Sequence, residues 1–538
     1  MSDGEAAAAQ PQTLSRQVTG AMLWNAVLQP ARLVAGLLSG IVLGNVLPRP
    51  EYGAYALLGA MAASLGLVVD FGVERSLVKF LPEIEARYGR EGVRRTLWLV
   101  VAQKMAVLAI VIALALAFSG RFFAFWHSRL GGADERLMRG ILDEHRWLFF
   151  GALMGLIVFG ALFDVYMQVL VSYFHQRAWN GINLVYTLLR PLLFIAVVLA
   201  GWGILGVVGA MVAVPALATA LAFWQALTVR RTLADRPTLP ASGARILPRF
   251  VNYSILSYFI QLSEYAYSFN FVVLALPGAG VAGGFKIANS LVTDVLSALW
   301  SPMVGVQIPL FARLHARGDD RQLAAAYAIL SKFLAALLIP AAVGLTVLAG
   351  NILATVWPKY AAYAGVARIL ALALCFDAAL SVPLSVLMAY ERYRPMAIAR
   401  VLGLVAIPLV LVLVPRYGAV AAALIMGGAR LASDGLAMAL AMRVLPLRYP
   451  LAFAARIAAA SLGMALVVAP VALLALHPPA GLGAGPRAAY LAGNLALGGL
   501  GAGVYLLLFR LTGGLDPTDR RRIAELRLPA ASFLLRFF

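Results

Sequence analysis

Residues 206–229 read GVVGAMVAVPALATALAFWQALTV and contain no charged side chain. An α-helix rises about 1.5 Å per residue, so this run is long enough to cross the ~30 Å hydrocarbon core of a lipid bilayer. Similar apolar runs recur along the whole chain and are separated by segments rich in Pro, Gly and Arg. We predict 14 membrane spans, within residues 19–47, 53–78, 95–119, 147–172, 181–201, 206–229, 250–276, 281–309, 322–348, 363–389, 396–414, 418–442, 452–476 and 488–511.

The composition of the chain supports the same structural class. Of the 538 residues, 62% are hydrophobic and 13% are charged, whereas soluble proteins average about 45–50% apolar and ~25% charged residues. A soluble fold could not bury this much apolar surface, because even large domains keep a polar exterior. The sequence therefore predicts an all-α polytopic membrane protein and excludes a disordered or collagen-like chain.

Membrane topology accounts for most of the net charge of +20, which arises from 44 Lys and Arg against 24 Asp and Glu. If the N-terminus is cytoplasmic, basic residues are roughly threefold more frequent in the inner loops than in the outer loops, as the positive-inside rule requires. We therefore expect both termini in the cytoplasm. The charge does not require a nucleic-acid partner, and residues 1–17 lack the regions of a signal peptide.

An internal repeat relates two parts of the chain. Residues 80–110 resemble residues 307–339, and this alignment pairs Lys104 with Lys332 inside the predicted spans. We therefore predict that spans 1–6 repeat as spans 7–12 in the same orientation, as in transporters built from parallel repeats. The predicted domains are an N-lobe at 1–245, a C-lobe at 246–445, and spans 13 and 14 with the cytoplasmic tail at 446–538.

Residues 42–83 resemble the N-terminal part of bacterial polysaccharide and O-antigen flippases. The matching elements are EYG at 51–53, DFG at 70–72 and KFLP at 79–82. These flippases belong to the multidrug, oligosaccharidyl-lipid and polysaccharide exporter superfamily, which also contains lipid II flippases and multidrug antiporters. The resemblance implies two six-helix lobes around a central cavity, with two additional helices at the C-terminus.

The resemblance also implies a function and a location. A flippase of this kind moves a polyprenyl-diphosphate-linked oligosaccharide from the inner to the outer leaflet of the bacterial cytoplasmic (inner) membrane by alternating access, for polysaccharide or O-antigen export. The implied partners are the lipid-linked oligosaccharide, membrane lipids, and a polysaccharide polymerase with other export machinery. Two alternatives remain open: a cation-coupled multidrug or metabolite antiporter on the same fold, and a membrane glycosyltransferase or ligase.

Basic residues inside the predicted spans are candidates for substrate binding. A charge at the centre of a membrane helix costs at least about 2.5 kcal/mol, so such residues usually face a cavity or a charged partner. Arg32 lies near the middle of span 1 without an acidic neighbour in the sequence. Its guanidinium could bind diphosphate oxygens in pairs, or it could belong to a buried ion pair. The candidate substrate-binding cations are Arg32, Arg190, Lys104, Lys286 and Lys332.

Acidic residues inside the spans are candidates for ion coupling. Glu264 lies in FIQLSEYAYSFNF at 259–271, a stretch too polar to face lipid throughout, and Asp294 lies beside polar residues at four-residue spacing. A carboxylate at such a position can bind a proton or a sodium ion, or form a fixed ion pair with a lysine. For Asp70, with Glu74 and Arg75 near the inner end of span 2, a hydrated interfacial cluster is the simpler interpretation. The candidate coupling or cavity acids are Glu264, Asp294, Asp70 and Asp164.

The sequence shows no metal or cofactor site. The single cysteine, Cys375, excludes a disulfide framework, and the five histidines have no ligand spacing. The phosphate-binding loop and the common hydrolase and metalloprotease motifs are absent. We therefore expect no cofactor, no metal and no catalytic residue, which favours a transporter over an enzyme.

Overall fold

The protein is described by a computed structural model. It covers residues 31–130, 136–173, 175–233, 235, 246–316, 318, 320–380, 382–390, 393–444, 447–479 and 483–514. The start of the first expected span, residues 19–30, and the tail after residue 514 lie outside the described residues, as do both termini.

Helices account for nearly all of the described chain, and no strand occurs in these ranges. Short 3-10 helices at Pro358–Tyr363 and Leu402–Val405 precede two of the α-helices. The α-helices in chain order are α1 Ala31–Val46, α2 Arg49–Asp70, α3 Val73–Ala117, α4 Ser119–Arg129, α5 Arg136–Glu144, α6 Arg146–Ser172, α7 Gln176–Leu199, α8 Gly203–Arg231, α9 Ile246–Tyr265, α10 Phe269–Leu274, α11 Ala279–Ala316, α12 Asp320–Val356, α13 Ala364–Leu380, α14 Val382–Ala389, α15 Tyr393–Val401, α16 Ala406–Val444, α17 Leu451–Leu474 and α18 Ala484–Leu511.

The predicted class, an all-α polytopic membrane protein, is confirmed. Among the described residues, ten helices are long and apolar enough to cross a membrane. One of the ten, Arg394–Arg443, reverses direction and contains two of the expected spans. Spans 1, 7 and 8 of the expected set are not among these ten helices, and they lie on α1, α9 and α11. Every expected span therefore falls on helix, although span 1 is described only from residue 31.

α3 reverses its direction at Gly89. A straight helix would separate Glu74 from Lys104 by about 45 Å, yet Lys104 Nζ lies 2.6 Å from Glu74 Oε1. Gly89 has φ 63° and ψ −165°, a conformation that glycine adopts without the steric cost of a side chain. The two arms of α3, residues 73–88 and 90–117, therefore run antiparallel.

α16 reverses in the same way at Gly418. This residue has φ 64° and ψ −145°. Arg400, which precedes the reversal, donates a hydrogen bond from Nη1 to Asp434 Oδ1 at 2.8 Å, across 34 positions of sequence. The reversal separates the expected spans 11 and 12, so a turn formed around one glycine joins them.

The chain forms two compact units, Met1–Gly283 and Gly284–Phe538. In the first unit, α3 packs against α2, α6 and α9, and α8 packs against α6 and α7. Leu77, Phe80, Val165 and Ala222 belong to the buried apolar core that these helices share. The division into lobes at residue 245 stays a prediction.

In the second unit, α12 packs against α13, α17 and α18. A buried polar contact joins three of these helices. Asn351 Nδ2 on α12 donates to the Ala472 carbonyl oxygen of α17 at 2.7 Å and to Asn494 Oδ1 of α18 at 3.0 Å. Since a buried amide is costly without partners, these bonds help fix spans 13 and 14 to the second unit.

Candidate functional site

The first unit contains a break between two helices. α2 ends at Asp70, and α3 begins at Val73. Both joining residues, Phe71 and Gly72, have positive φ, 50° and 69°. A Cβ atom on Gly72 would overlap the Ser254 carbonyl oxygen of α9, so glycine is required there for conformation and for space.

α9 packs closely on this break. Ser76 Oγ lies 2.6 Å from Ser254 Oγ, and the rings of Phe71 and Tyr258 stack with centroids 5.4 Å apart. Each contact joins α9 to a residue just after or within the break. The break is therefore held in place by a neighbouring helix and is part of the packed structure.

Two acidic side chains contact one lysine next to this break, and a third interacts with it electrostatically. Lys104 is fully buried, and its Nζ lies 2.6 Å from Glu74 Oε1 and 3.3 Å from Asp70 Oδ1. Asp164 on α6 interacts electrostatically with Lys104 and with Asp70, and its side chain is exposed. We call Asp70, Glu74, Lys104 and Asp164 the acid–lysine cluster.

This arrangement corrects one expectation from the sequence. Asp70 is 7% exposed and the side chain of Glu74 is 15% exposed, so neither belongs to a hydrated interfacial cluster. The sequence suggested an interface because both residues lie near the end of a single expected span. Instead the chain breaks there, and the reversal at Gly89 brings the mid-span Lys104 to the same depth. Lys104, predicted as a substrate-binding cation, forms ion pairs with two acids.

Glu264 pairs with a neighbour of the acid–lysine cluster. Arg75 on α3 lies 3.9 Å from Glu264 on α9, and their side chains are 44% and 39% exposed. The adjacent Tyr265 forms a hydrogen bond with Ser64 of α2. Exposed charges at this level of a membrane helix need water or a polar ligand, since hydrocarbon does not solvate them.

Two of the predicted cations in the first unit have unsatisfied donors. The Nε atoms of Arg32 and Arg190 are buried and have no hydrogen-bond partner among the residues that the structure describes. Arg190 lies over the rings of Tyr186 and Phe194, with centroid distances of 6.0 and 5.4 Å, and also interacts electrostatically with Tyr55. A guanidinium with a free donor among aromatic rings can bind an anion and stack against a sugar.

The remaining predicted residues lie in the second unit. Asp294 on α11 interacts electrostatically with Lys286, two helical turns earlier on the same helix. Next to Asp294 on the same helix, Thr293 donates a weak hydrogen bond to Asn289 at 3.5 Å. Lys332 on α12 lies over the ring of Phe453 with its Nζ 5.4 Å from the centroid.

The sequence analysis missed the buried ion pair between Arg400 and Asp434. Arg400 Nη1 donates to Asp434 Oδ1 at 2.8 Å and to Ser433 Oγ at 3.2 Å, and both charged residues are buried. Arg400 lies only a few residues inside the edge of an expected span, where the sequence alone does not distinguish a buried charge from a loop charge. No group of three or more His, Cys, Asp or Glu side chains suitable for a metal ion occurs in the described ranges.

Solved structures with a similar fold are membrane transporters. The lipid II flippase MurJ in an inward closed conformation has a TM-score of 0.67 at 15% identity, covering 91% of this chain and 98% of that one. An inward-facing multidrug resistance MATE family transporter of the MOP superfamily has a TM-score of 0.56 at 14% identity, covering 78% and 98%. A mutant of the Vibrio cholerae MATE transporter VcmN has a TM-score of 0.51 at 13% identity, covering 81% and 98%. At these identities the likeness shows a shared fold.

A match by sequence gives the family. No curated protein matches this chain. A family model described as "Polysaccharide biosynthesis protein" matches residues 21–315, which is more than half of the chain and includes the whole acid–lysine cluster. The resemblance seen in the sequence is thereby confirmed, and the chain belongs to the polysaccharide biosynthesis protein family.

Proposed function

We propose that this protein flips a polyprenyl-diphosphate-linked oligosaccharide from the inner to the outer leaflet of the bacterial inner membrane by alternating access. Membership of the polysaccharide biosynthesis protein family and the fold shared with the lipid II flippase MurJ support this proposal. The glycan would serve polysaccharide or O-antigen export, with a polysaccharide polymerase and other export machinery acting on it afterwards. Both termini would lie in the cytoplasm.

One observation carries the proposal to specific residues. Arg32 and Arg190 each have a buried Nε without a partner in the described part of the chain. A buried Nε–H group without a partner is unfavourable unless a ligand or water satisfies it. A diphosphate offers several acceptor oxygens, and guanidinium binds such groups through paired hydrogen bonds. The aromatic rings beside Arg190 would contact the sugars, and the polyprenyl tail would remain in lipid.

The experiment changes Arg32 and measures glycan export. Arg32→Ala should insert and fold normally but abolish complementation of an export-deficient strain, because the diphosphate loses its paired donors. Arg32→Lys should restore export only in part, since an ammonium keeps the charge without the bidentate geometry. The matched control is Arg121→Ala, which removes an exposed arginine of the short helix α4. Normal export by Arg32→Ala would overturn this site assignment.

The second candidate function is cation-coupled export of a drug or metabolite. The fold shared with MATE family transporters and the carboxylates inside the first unit favour it. Coupling through Glu264 and Asp294 remains our prediction for either function: at least one would change protonation or ion occupancy during transport. If Glu264→Gln and Asp294→Asn both transport at the wild-type rate at every pH, that coupling prediction fails.

A further inference from the structure

The second unit contains a long stretch of sequence whose formal charges are all positive. Residues 435–515 contain five arginines and no Asp or Glu. Three of these arginines lie close to the start of α17 or the end of α18, namely Arg448, Arg456 and Arg510. Arg448 and Arg510 are exposed. This stretch therefore supplies no acidic partner for the basic groups at this end of the two helices.

Aromatic contacts bring the start of α17 and the end of α18 together. The rings of Phe453 and Phe509 meet edge to face with their centroids 5.9 Å apart, and Tyr505 stacks on Phe509 at 6.0 Å. The hydroxyl of Tyr505 donates a hydrogen bond to the Ala336 carbonyl oxygen of α12 at 2.7 Å. The two helix ends, with the arginines that they carry, are thus held in one place against α12.

Arg456 links the two helix ends. Its Cζ lies 5.7 Å from the ring centroid of Phe453, and its Nη1 donates to the Thr512 carbonyl oxygen just after α18 at 3.4 Å. Gly513 has φ 103°, and a Cβ atom there would lie 3.0 Å from Nη1. The chain thus leaves room for the guanidinium beside a helix C-terminus, where a cation is favourable. The bond to Thr512 uses one of five N–H donors, so donors remain for an anion.

Exposed leucines flank this arginine. Leu451 begins α17 and Leu511 ends α18, and they are 71% and 74% exposed. At the end of a membrane helix such leucines face acyl chains, while arginine side chains extend to the headgroups. A site for a free anion would need no apolar rim. The combination of arginines and leucines therefore indicates a phospholipid, whose phosphate and acyl chains match both.

We propose that the start of α17 and the end of α18 bind an anionic phospholipid, with Arg456 and Arg510 at its phosphate and Leu451 and Leu511 against its acyl chains. Guanidinium groups bind phosphate oxygens through charge-assisted hydrogen bonds. With both termini in the cytoplasm, as proposed above, this lipid belongs to the cytoplasmic leaflet, whose negative surface attracts basic groups. The binding does not depend on which substrate the protein transports.

The test titrates lipid into full-length protein purified in an uncharged detergent and measures the melting temperature. Phosphatidylglycerol should raise the melting temperature of the wild-type protein in a saturable way, because a ligand that binds the folded state stabilises it. Phosphatidylcholine and inorganic phosphate should not, since the first has no net charge and the second has no acyl chains. The absence of stabilisation by phosphatidylglycerol would overturn the proposal, as would equal stabilisation by either of the other two.

Arg456→Gln combined with Arg510→Gln should move the midpoint of the phosphatidylglycerol titration to higher concentration. One basic residue near an anionic surface contributes about fivefold in affinity, so we expect a shift of roughly 30-fold for the pair. Arg456→Lys should bind the lipid more tightly than Arg456→Gln, because it keeps the charge. The matched control is Arg487→Gln, which removes an arginine from the first turn of α18, at its opposite end. This control should keep the wild-type midpoint.

The titration midpoint distinguishes lipid binding from a purely structural role of Arg456. Loss of the Thr512 contact alone would lower the melting temperature without lipid and leave the midpoint unchanged. That result in the double variant would overturn the proposal. Arg510→Gln alters an exposed side chain, so it remains a valid test if variants of Arg456 do not fold. Its midpoint should rise about fivefold, and a wild-type midpoint would contradict the proposal.

Discussion

Lys104 in the first unit and Lys332 in the second occupy matching positions of the sequence repeat, yet their surroundings differ. Lys104 is fully buried and lies within 3.3 Å of two carboxylates. Lys332 is half-buried and lies over the ring of Phe453, which Arg456 also approaches at 5.7 Å. A repeat can therefore preserve a charged position while the two units use it in different ways.

The acidic residues explain this difference. Pro82 and Pro309 align at an offset of 227 residues, and the same offset places Ser297 and Ser301 opposite Asp70 and Glu74. At this offset the second repeat has serines where the first has the two carboxylates that bind Lys104. A partly exposed lysine is favourable over an aromatic ring, as Lys332 lies over Phe453.

Lys104→Met should have the largest effect on stability. It leaves the carboxylates of Asp70 and Glu74 buried without their counter-ion, and breaking a buried pair in this way costs about 3–5 kcal/mol. We expect a strong loss of folded yield and a lower melting temperature in detergent. A melting temperature equal to that of wild type would show that the cluster is not held by this ammonium.

Gly72→Ala should have the next largest effect. The left-handed conformation alone costs an alanine about 1–2 kcal/mol, and its Cβ would also overlap the Ser254 carbonyl oxygen. Gly66→Ala on α2 is the matched control, since a Cβ there meets no atom within 4 Å. The two melting curves should differ clearly, with Gly66→Ala at or above the wild-type temperature. Equal curves would mean that α9 does not fix the break.

Glu74→Gln introduced into Lys104→Met should recover part of the lost stability. Removing both partners of a buried pair is often nearly neutral, and residues in contact show coupling of about 0.5–3 kcal/mol. The measurement is a double-mutant cycle on melting temperature under one detergent condition. Strictly additive losses would indicate that the 2.6 Å contact contributes no coupling.

Lys332→Met should have the smallest effect. The cation–π contact with Phe453 contributes about 0.5–2 kcal/mol, and methionine can still pack on the ring. Measuring the melting temperatures of this variant and of Lys104→Met together compares the two repeats directly. A loss as large as that of Lys104→Met would show that the second unit also buries its lysine against acids.

The sequence predicted the helices well because a span is a local pattern of apolar residues. It also singled out Lys104, through the repeat, and Asp70 and Asp164 as charged residues inside the expected spans; their predicted roles stay predictions. It could not predict the ion pairs, because Glu74 and Lys104 are 30 positions apart and meet only after the chain reverses at Gly89. The burial of Asp70 and Glu74 could not be predicted for the same reason. The positive φ angles at the break depend on packing against α9.

The function itself is tested most directly by one transport measurement on purified wild-type protein in vesicles. A fluorescent polyprenyl-diphosphate oligosaccharide and a cationic dye are supplied in parallel, and the accessibility of each on the two sides is followed with time. Our account predicts that the lipid-linked oligosaccharide crosses between leaflets without cleavage of any bond, while the dye is not exported. Export of the dye with no movement of the oligosaccharide would contradict the account and identify an antiporter.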